Sequence, residues 1–145
     1  MKNKKARLNE RQKALRAEKR LKKRLEIQAD ALWHLAIIKK WGNICFFHNS
    51  GKEAKEHQKY VKFGHHIKPK GLYSNLRYDL DNGLPACWPC HYKMEKVDRS
   101  MSGDVIVRRG KRWYNRLEKK SQEKPKPSYQ TISYYQNVIQ NLSSL

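Results

Sequence analysis

Residue types that bind metals are concentrated in a few short stretches of this chain. Two pairs, Cys45 with His48 and Cys87 with Cys90, have the spacing that lets neighbouring ligands wrap around one ion. Zinc prefers four sulfur or nitrogen ligands in a tetrahedron, so the two pairs together predict a structural Zn²⁺ site with no open position. His57 is the alternative fourth ligand if His48 is not one.

A second group of polar residues remains once these four are set aside: His65, His66, Asn82, His91 and Glu95. His91 and Glu95 are four residues apart, so on a helix they share a face and can bind one ion. His65 and His66 are neighbours on a predicted strand and point to opposite sides, which favours a metal ligand and a second role. Hydrolysis of a phosphodiester needs a cation and a base. The group predicts a catalytic divalent ion, Mg²⁺, Mn²⁺ or a transition metal.

The elements that must position these residues follow from hydrophobic spacing. Residues 61–67 alternate apolar and polar side chains, which predicts a half-buried strand. A long loop and a second strand near residues 76–78 follow, and Pro89 suits the first turn of a helix that runs to about Arg99. Upstream, residues 29–41 form a mostly apolar helix that should dock on the core and end at Gly42.

The flanking segments are basic and largely helical in pattern. Residues 1–28 contain many Lys and Arg and no Gly, Pro or aromatic residue, which predicts either a solvated helix or an arm that lies along phosphates. After the core, residues 104–107 suggest a short strand and residues 108–120 a basic helix. Trp113 and Tyr114 there suit core packing or stacking on bases. A final helix near residues 132–142 has an apolar face for the body of the protein or a partner chain.

Three segments therefore divide the chain: a basic helical arm at 1–28, a metal-binding core at 29–103 and a basic helical extension at 104–145. The fold class is predicted to be α+β, with a small core that a structural metal would support.

Charge narrows the class of partner. The 145 residues include 33 Lys and Arg against 13 Asp and Glu, a formal net charge of +20, which is typical of a protein that binds a polyanion such as DNA. No run of about 18 apolar residues and no secretion signal are present, so we expect a cytoplasmic protein that is not secreted and does not enter a membrane. Three cysteines without a secretion signal favour metal binding over disulfides.

The motifs "HHIKP", Asn82 and "CWPCH" resemble those of the HNH (ββα-metal) endonucleases, over about Cys45 to Arg99. The resemblance implies a treble-clef-like core in which two antiparallel strands and a helix hold one metal ion, braced by a zinc knuckle. By position it implies that His65 and His91 bind the catalytic ion and that His66 is the general base. It also implies that Asn82 braces the loop and orients that base, with Glu95 or Asn82 itself as a third ligand.

The longer stretch from Gly64 to Cys90 is similar to the phage NinG (Rap) recombination nucleases, which act on branched DNA. The chain departs from their usual knuckle at His48, where a Cys is common. The resemblance implies a metal-dependent endonuclease for duplex or branched DNA, in the host cytoplasm if phage-encoded. The alternatives are a non-catalytic zinc-containing nucleic-acid-binding module and a site-specific HNH homing or restriction enzyme.

DNA contacts and assembly complete the expectations. Lys68, Lys70 and Arg77 flank the site and are candidates for gripping phosphates beside the bond that is cut. Cutting both strands with one site per chain would favour a homodimer, with the C-terminal apolar face as its interface.

Overall fold

The computed structural model describes the backbone of residues 2–98 and 100–145, and the side chains of these residues from position 7 onward. The predicted start of the arm at Met1 and the predicted helix end at Arg99 lie outside the described residues. The helices are α1 (Lys2–Trp41), α2 (Trp88–Tyr92), α3 (Ser100–Arg109), α4 (Lys111–Ser121) and α5 (Ile132–Ser143), and the strands are β1 (Gly64–His66) and β2 (Gly83–Pro85). The predicted α+β class is confirmed, as a mostly helical chain with a small two-stranded sheet.

Helix α1 is 40 residues long and crosses the predicted boundary between residues 28 and 29 without a break. Residues 7–21 are all exposed, because this segment has little apolar surface to bury. The packing begins with the buried residues Ala29, Trp33, Ala36 and Ile37, whose spacing of three to four places them on one face. Gly42, with φ of 87°, ends the helix in the left-handed conformation that glycine adopts most readily. The predicted docking helix and its end are thus confirmed.

Strands β1 and β2 pair antiparallel, with His65 opposite Leu84 and His66 opposite Gly83. The prediction that the second strand lies near residues 76–78 was wrong. Ser74–Leu76 forms a 3₁₀ turn instead, because Leu76 is buried in the core and Arg77 turns towards α1. The actual strand, Gly-Leu-Pro, has a composition that suggests a turn, and all three of its residues are buried.

Two glycines allow α1 to approach the sheet closely. A Cβ added to Gly64 would lie 2.6 Å from Cβ of Ile37, and one added to Gly83 would lie 2.8 Å from Cζ2 of Trp33 and closer still to Ile37. Carbon atoms do not pack at such distances, so only glycine fits at either position. The sheet is therefore held directly against the middle of the docking half of α1.

The chain after the sheet is helical. Pro89 lies in the first turn of α2, as predicted, and the helix continues as a π-helical turn, Lys93–Val97. The predicted strand at residues 104–107 was wrong, because Met101 and Val105 are buried four residues apart on α3. Trp113 is buried, and its indole N–H donates to the carbonyl of Asp81, so it packs in the core. Helix α5 packs along α1 of the same chain, with Tyr135 buried.

Within the described residues, none of the helices combines the length and the apolar character that a membrane crossing requires.

Candidate metal centres

Three thiols and one imidazole lie close together, and we call this group the thiol–histidine cluster: Cys45, His57, Cys87 and Cys90. Each residue offers one ligand atom, and the four atoms lie within 4.8 Å of one another. Nδ1 of His57 lies 3.1 Å from Sγ of Cys90 and 3.5 Å from Sγ of Cys87. Sulfur ligands around a tetrahedral zinc lie roughly 3.8 Å apart, so the cluster has the dimensions of a structural metal site.

The cluster also has the chemistry of a metal site. The three cysteines are buried and form no disulfide. Burial raises the pKa of the Cys90 thiol to about 12, and burial likewise raises the pKa of Cys45. A metal ion stabilises the thiolate form of such ligands. The cluster can therefore hold a structural metal ion in the place where the sequence predicted one.

The fourth position of the cluster corrects the sequence prediction, which assigned it to His48. The structure places the alternative, His57, beside the thiols, and Nδ1 of His48 lies 3.2 Å from Nε2 of His57. The group whose ligand atoms converge with the three thiols contains His57 and not His48, and the backbone N–H of His57 bonds to the carbonyl of Ala54 in the loop that leads to it. His48 thus contacts the outer nitrogen of a ligand, where a hydrogen bond orients the ring.

The second candidate centre lies where β1 meets α2. The rings of His65 and His91 are stacked, with centroids 4.1 Å apart and planes inclined by 27°. The prediction that these imidazoles come together is confirmed. Their position follows from the fold, because His65 lies on β1 and the paired strand β2 leads through Cys87 into α2, which carries His91. We call these two residues the histidine pair.

Glu95 completes this centre on the following helical turn. Nε2 of His91 lies 3.0 Å from Oε1 of Glu95. Burial lowers the pKa of His91 despite the nearby carboxylate, so Nε2 carries the proton of a neutral ring and donates it to Glu95. Nδ1 of His91 then holds a lone pair, and among the described residues this buried atom has no hydrogen-bond partner.

These observations test whether a cation fits. A metal-binding histidine usually donates its other N–H to a carboxylate, which is the relationship between His91 and Glu95. Burial, and after it the proximity of the His91 imidazole, lowers the pKa of His65 to about 3, so its ring is neutral as well. Imidazoles and carboxylates are ligand types that bind divalent cations. Among the described residues, however, the ligand atoms of His65, His91 and Glu95 are not a group that converges within 4.8 Å, so ion binding here stays a prediction. The geometry gives Glu95 the task of orienting His91, and its direct ligation of a metal stays a prediction.

His66 faces the opposite side of β1, as strand geometry requires. Its ring stacks on Trp33, with centroids 3.9 Å apart and planes inclined by 5°. Nε2 lies 2.7 Å from the carbonyl oxygen of Arg77. Burial lowers the pKa of His66 to about 4, so its ring is neutral, and because a carbonyl can only accept, Nε2 carries the proton. The lone pair is therefore on Nδ1.

Among the described residues, Asn82 is the one fully buried residue whose side chain is charged or carries an amide. Its Oδ1 accepts from the backbone N–H of Lys68 at 2.7 Å, and its Nδ2 donates to the carbonyls of Lys68 and Leu76 at 3.0 and 3.1 Å. These bonds close both ends of the loop between the strands. The loop carries Arg77, whose carbonyl holds His66, so Asn82 positions that imidazole through the backbone.

Arg77 corrects another prediction. Its guanidinium binds Asp30 and Glu26 of α1, at 2.7 and 2.8 Å from Nη2, and its side chain is only 14% exposed. It anchors the loop to α1 and is not available to a phosphate. Lys70 and Lys68 also form ion pairs, with Asp30 at 3.1 Å and with Glu118. Their contact with DNA stays a prediction.

Sequence reasoning missed the aromatic surroundings of this centre. Trp33, on the docking half of α1, also forms one wall for His66. Phe63 is 60% exposed, although the alternation of residues 61–67 predicts a half-buried strand, and Trp88, between two cysteines of the cluster, is 67% exposed. The signal available was the clustering of aromatic residues at positions 60, 63 and 88 around the metal-binding residues.

Comparison with known proteins found no matching family model, no matching curated protein and no matching solved structure.

Proposed function

We propose that this chain is an HNH-type endonuclease that hydrolyses DNA with a divalent ion, next to a structural Zn²⁺ in the thiol–histidine cluster. The observation that carries the proposal is the meeting of His65 and His91 at the junction of the sheet and α2. That pair lies beside a loop that a buried Asn82 holds in place. The motifs that resemble this family, HHIKP, Asn82 and CWPCH, occur in that order along the chain.

The proposal gives each residue a role that agrees with its hydrogen bonds. His65 and Nδ1 of His91 would hold the divalent ion, with Glu95 orienting His91 or joining as a ligand. Such an ion stabilises the negative charge that develops on the phosphate and on the leaving oxygen. Nδ1 of His66 takes a proton from water, because Nε2 is committed to the Arg77 carbonyl. The water oxygen would bond to phosphorus as the bond to the 3′-oxygen breaks, and the 3′-oxygen would take a proton from solvent water, which leaves 5′-phosphate and 3′-hydroxyl ends.

The proposal puts the phosphate at the end of β1. His65 and His66 point to opposite sides of the strand, and His66 is its last residue. A phosphate seated over the end of β1 would be flanked by both imidazoles. Asn82 would hold His65 and His66 in their proposed positions, because its side-chain amide binds the backbone of Lys68, two residues after His66.

The substrate class is proposed from charge and from the narrower resemblance. A net charge of +20 favours contacts with the phosphate backbone, which carry no sequence information. A structure-selective enzyme that acts on branched recombination intermediates of a phage agrees with both. On this proposal the arm formed by residues 1–28 supplies affinity and the core supplies cleavage.

One observation favours a second candidate, a zinc-containing module that binds nucleic acid without cutting it. His66 is held by Trp33 and by the Arg77 carbonyl in the manner of a structural histidine. In that case the charge and the thiol–histidine cluster would account for the protein's activity, and the histidine pair would only pack.

Titration of a divalent ion into the zinc-loaded protein with supercoiled plasmid separates the two candidates. The nuclease predicts nicking that depends on Mg²⁺ or Mn²⁺ and is lost in His91→Ala. Tyr92→Ala, an exposed neighbour on the same helix, serves as the control and should cut normally. Binding without cleavage at any concentration of these ions would support the non-catalytic module.

The same assay with defined oligonucleotides tests the substrate. A structure-selective enzyme should cut four-way junctions and flaps faster than linear duplex of the same sequence. Cleavage at one sequence within linear duplex would instead support a site-specific homing or restriction enzyme.

A further inference from the structure

An open cleft of about 540 Å³ lies directly beside the histidine pair, and we call it the aromatic cleft. Its walls come from α1, from the segment before β1, from β1 itself and from the start of α2. They include His34, Tyr60, Lys62, Phe63, His65 and Trp88. The volume lies within the range of small-ligand pockets, roughly 300–1,000 Å³.

The cleft exposes aromatic rings that the fold does not need for its core. Tyr60, Phe63 and Trp88 are 64, 60 and 67% exposed. Large apolar side chains grouped on the surface of a strongly charged protein mark a binding surface. The rings are also held in place, since Phe63 packs edge-on against His34 at 5.8 Å and Trp88 lies 5.7 Å from His91, centroid to centroid.

The charges around the cleft indicate what it binds. Nζ of Lys59 lies 5.3 Å from the centroid of the Tyr60 ring, and Lys62 is part of the wall. Aromatic rings with nearby cations are the combination by which proteins bind single-stranded nucleic acid, where bases stack on the rings and the cations follow the phosphates. In a duplex the base faces are covered by neighbouring bases and only the edges are open, so these rings cannot stack on a base there.

We infer that the aromatic cleft holds an unpaired nucleobase of the DNA strand whose phosphate lies at His65. The inference rests on the proposed nuclease function only for the position of that phosphate. His65 is both a wall of the cleft and a member of the histidine pair, so a base in the cleft and the bond to be cut belong to adjacent nucleotides. The cleft then selects DNA that has an unpaired nucleotide beside the cut, as branch points and flaps do.

Binding of an oligonucleotide that carries 2-aminopurine tests the inference. The probe is a flap with 2-aminopurine as its first unpaired base, compared with a fully paired duplex, and no divalent ion is added. Stacking on the zinc-loaded protein should quench 2-aminopurine fluorescence in the flap. Trp88→Ala should lose the quench and bind the flap roughly 5- to 150-fold more weakly, the range for loss of one base–aromatic stack.

Two controls separate stacking from general damage. Tyr92→Ala removes an exposed aromatic residue from the same helix outside the cleft and should leave both quench and affinity unchanged. Because Trp88 lies between Cys87 and Cys90, zinc content is measured on every variant. Should Trp88→Ala lose zinc, Phe63→Ala, which is outside the thiol–histidine cluster, decides the question in the same assay.

The inference is overturned if wild-type protein leaves the flap fluorescence unchanged, or if Trp88→Ala and Phe63→Ala retain the quench and the affinity. The first result would point to an apolar protein partner as the occupant. Because the assay contains no divalent ion, it does not depend on cleavage. If the wild-type protein nicks plasmid normally but does not quench the flap, only the inference about the cleft is refuted. If it quenches the flap but does not nick plasmid, only the proposed nuclease function is refuted.

Discussion

The indole of Trp33 lies flat against the imidazole of His66, with ring centroids 3.9 Å apart and planes inclined by 5°. The contact joins α1 to the sheet at the residue proposed as the general base. Together with the hydrogen bond from Nε2 to the Arg77 carbonyl, it fixes both the plane and the tautomer of the ring. Nε2 of His66 is therefore bound to the protein, and Nδ1 keeps the lone pair that the proposed general base requires.

Replacement of His66 by Ala should lower plasmid nicking by roughly 10²- to 10⁴-fold, the usual contribution of a general base. DNA affinity measured without divalent ions should stay nearly unchanged, since the neutral ring contributes no charge to the binding of phosphates. Zinc content and thermal melting show whether the variant is folded. Nicking at the wild-type rate by a folded variant would contradict the assignment.

The two histidines near the thiols should differ in their effect on Zn²⁺ binding. His57→Ala removes a ligand and should leave the purified protein without stoichiometric zinc. His48→Ala removes only the hydrogen bond to the ligand and should keep the ion with affinity lowered roughly 10- to 100-fold. Competition with a chromophoric chelator measures both, with His34→Ala as the control. Stoichiometric zinc in His57→Ala together with its loss in His48→Ala would reverse the assignment.

Stability should depend on the ion pair between Asp30 and Arg77. Burial alone would raise the pKa of Asp30, but the hydrogen bonds and charges of Arg77 and Lys70 outweigh it and hold the pKa below its ordinary value. Asp30→Asn should lower the free energy of unfolding by about 2 kcal/mol at pH 7, measured in urea. Glu10→Gln, which breaks an exposed pair with Lys13, should have no measurable effect.

The pH dependence of that difference has a definite sign. A carboxyl group whose pKa is lowered on folding stabilises the protein above its unfolded pKa and loses this effect as the pH falls through the folded pKa. The difference between wild type and Asp30→Asn should therefore stay constant from pH 7 down to about pH 5 and shrink below about pH 4. Protonation of the thiol–histidine cluster affects both proteins and cancels in the difference. A difference that grows on acidification would contradict the ion-pair account.

The exposed half of α1 should contribute non-specific affinity for DNA. A variant with Arg11, Arg16 and Arg20 changed to Gln keeps good helix formers while it removes three charges from the arm. The slope of log K against log salt should become shallower by roughly 0.9 for each phosphate that the arm no longer neutralises. The control changes Lys119, Lys124 and Lys126 to Gln, which removes the same charge elsewhere. Equal changes of slope in both variants would show that only net charge matters.

The parts of this structure that were predicted from sequence depend on local spacing. Cys87 and Cys90 indicated a metal site because two residues between ligands are enough to wrap one ion. Such spacing could not decide whether His48 or His57 is the fourth ligand, because that depends on how the loop through Ala54 folds back over the thiols. The docking half of α1 was equally predictable from the sequence, because its apolar residues recur on one helical face.

The errors arose where distant residues determine the outcome. Arg77 looked like a free surface cation because its two partners lie on α1, about fifty positions earlier in the chain. Strand β2 was missed because Gly83 and Pro85 suggest a turn, whereas Gly83 is required for close packing against Ile37. Residues 104–107 suggested a strand because four residues are too few to reveal the helical spacing of Met101 and Val105.

The unbroken course of α1 joins its exposed segment to the sheet through one continuous helix. The exposed segment at residues 7–21 measures about 22 Å at 1.5 Å per residue, or roughly six base pairs of DNA. The other end of the same rod is clamped to the sheet by Trp33 and Ile37. Its footprint on DNA would accordingly be one-sided, with protection from chemical cleavage extending away from the scissile bond in a single direction.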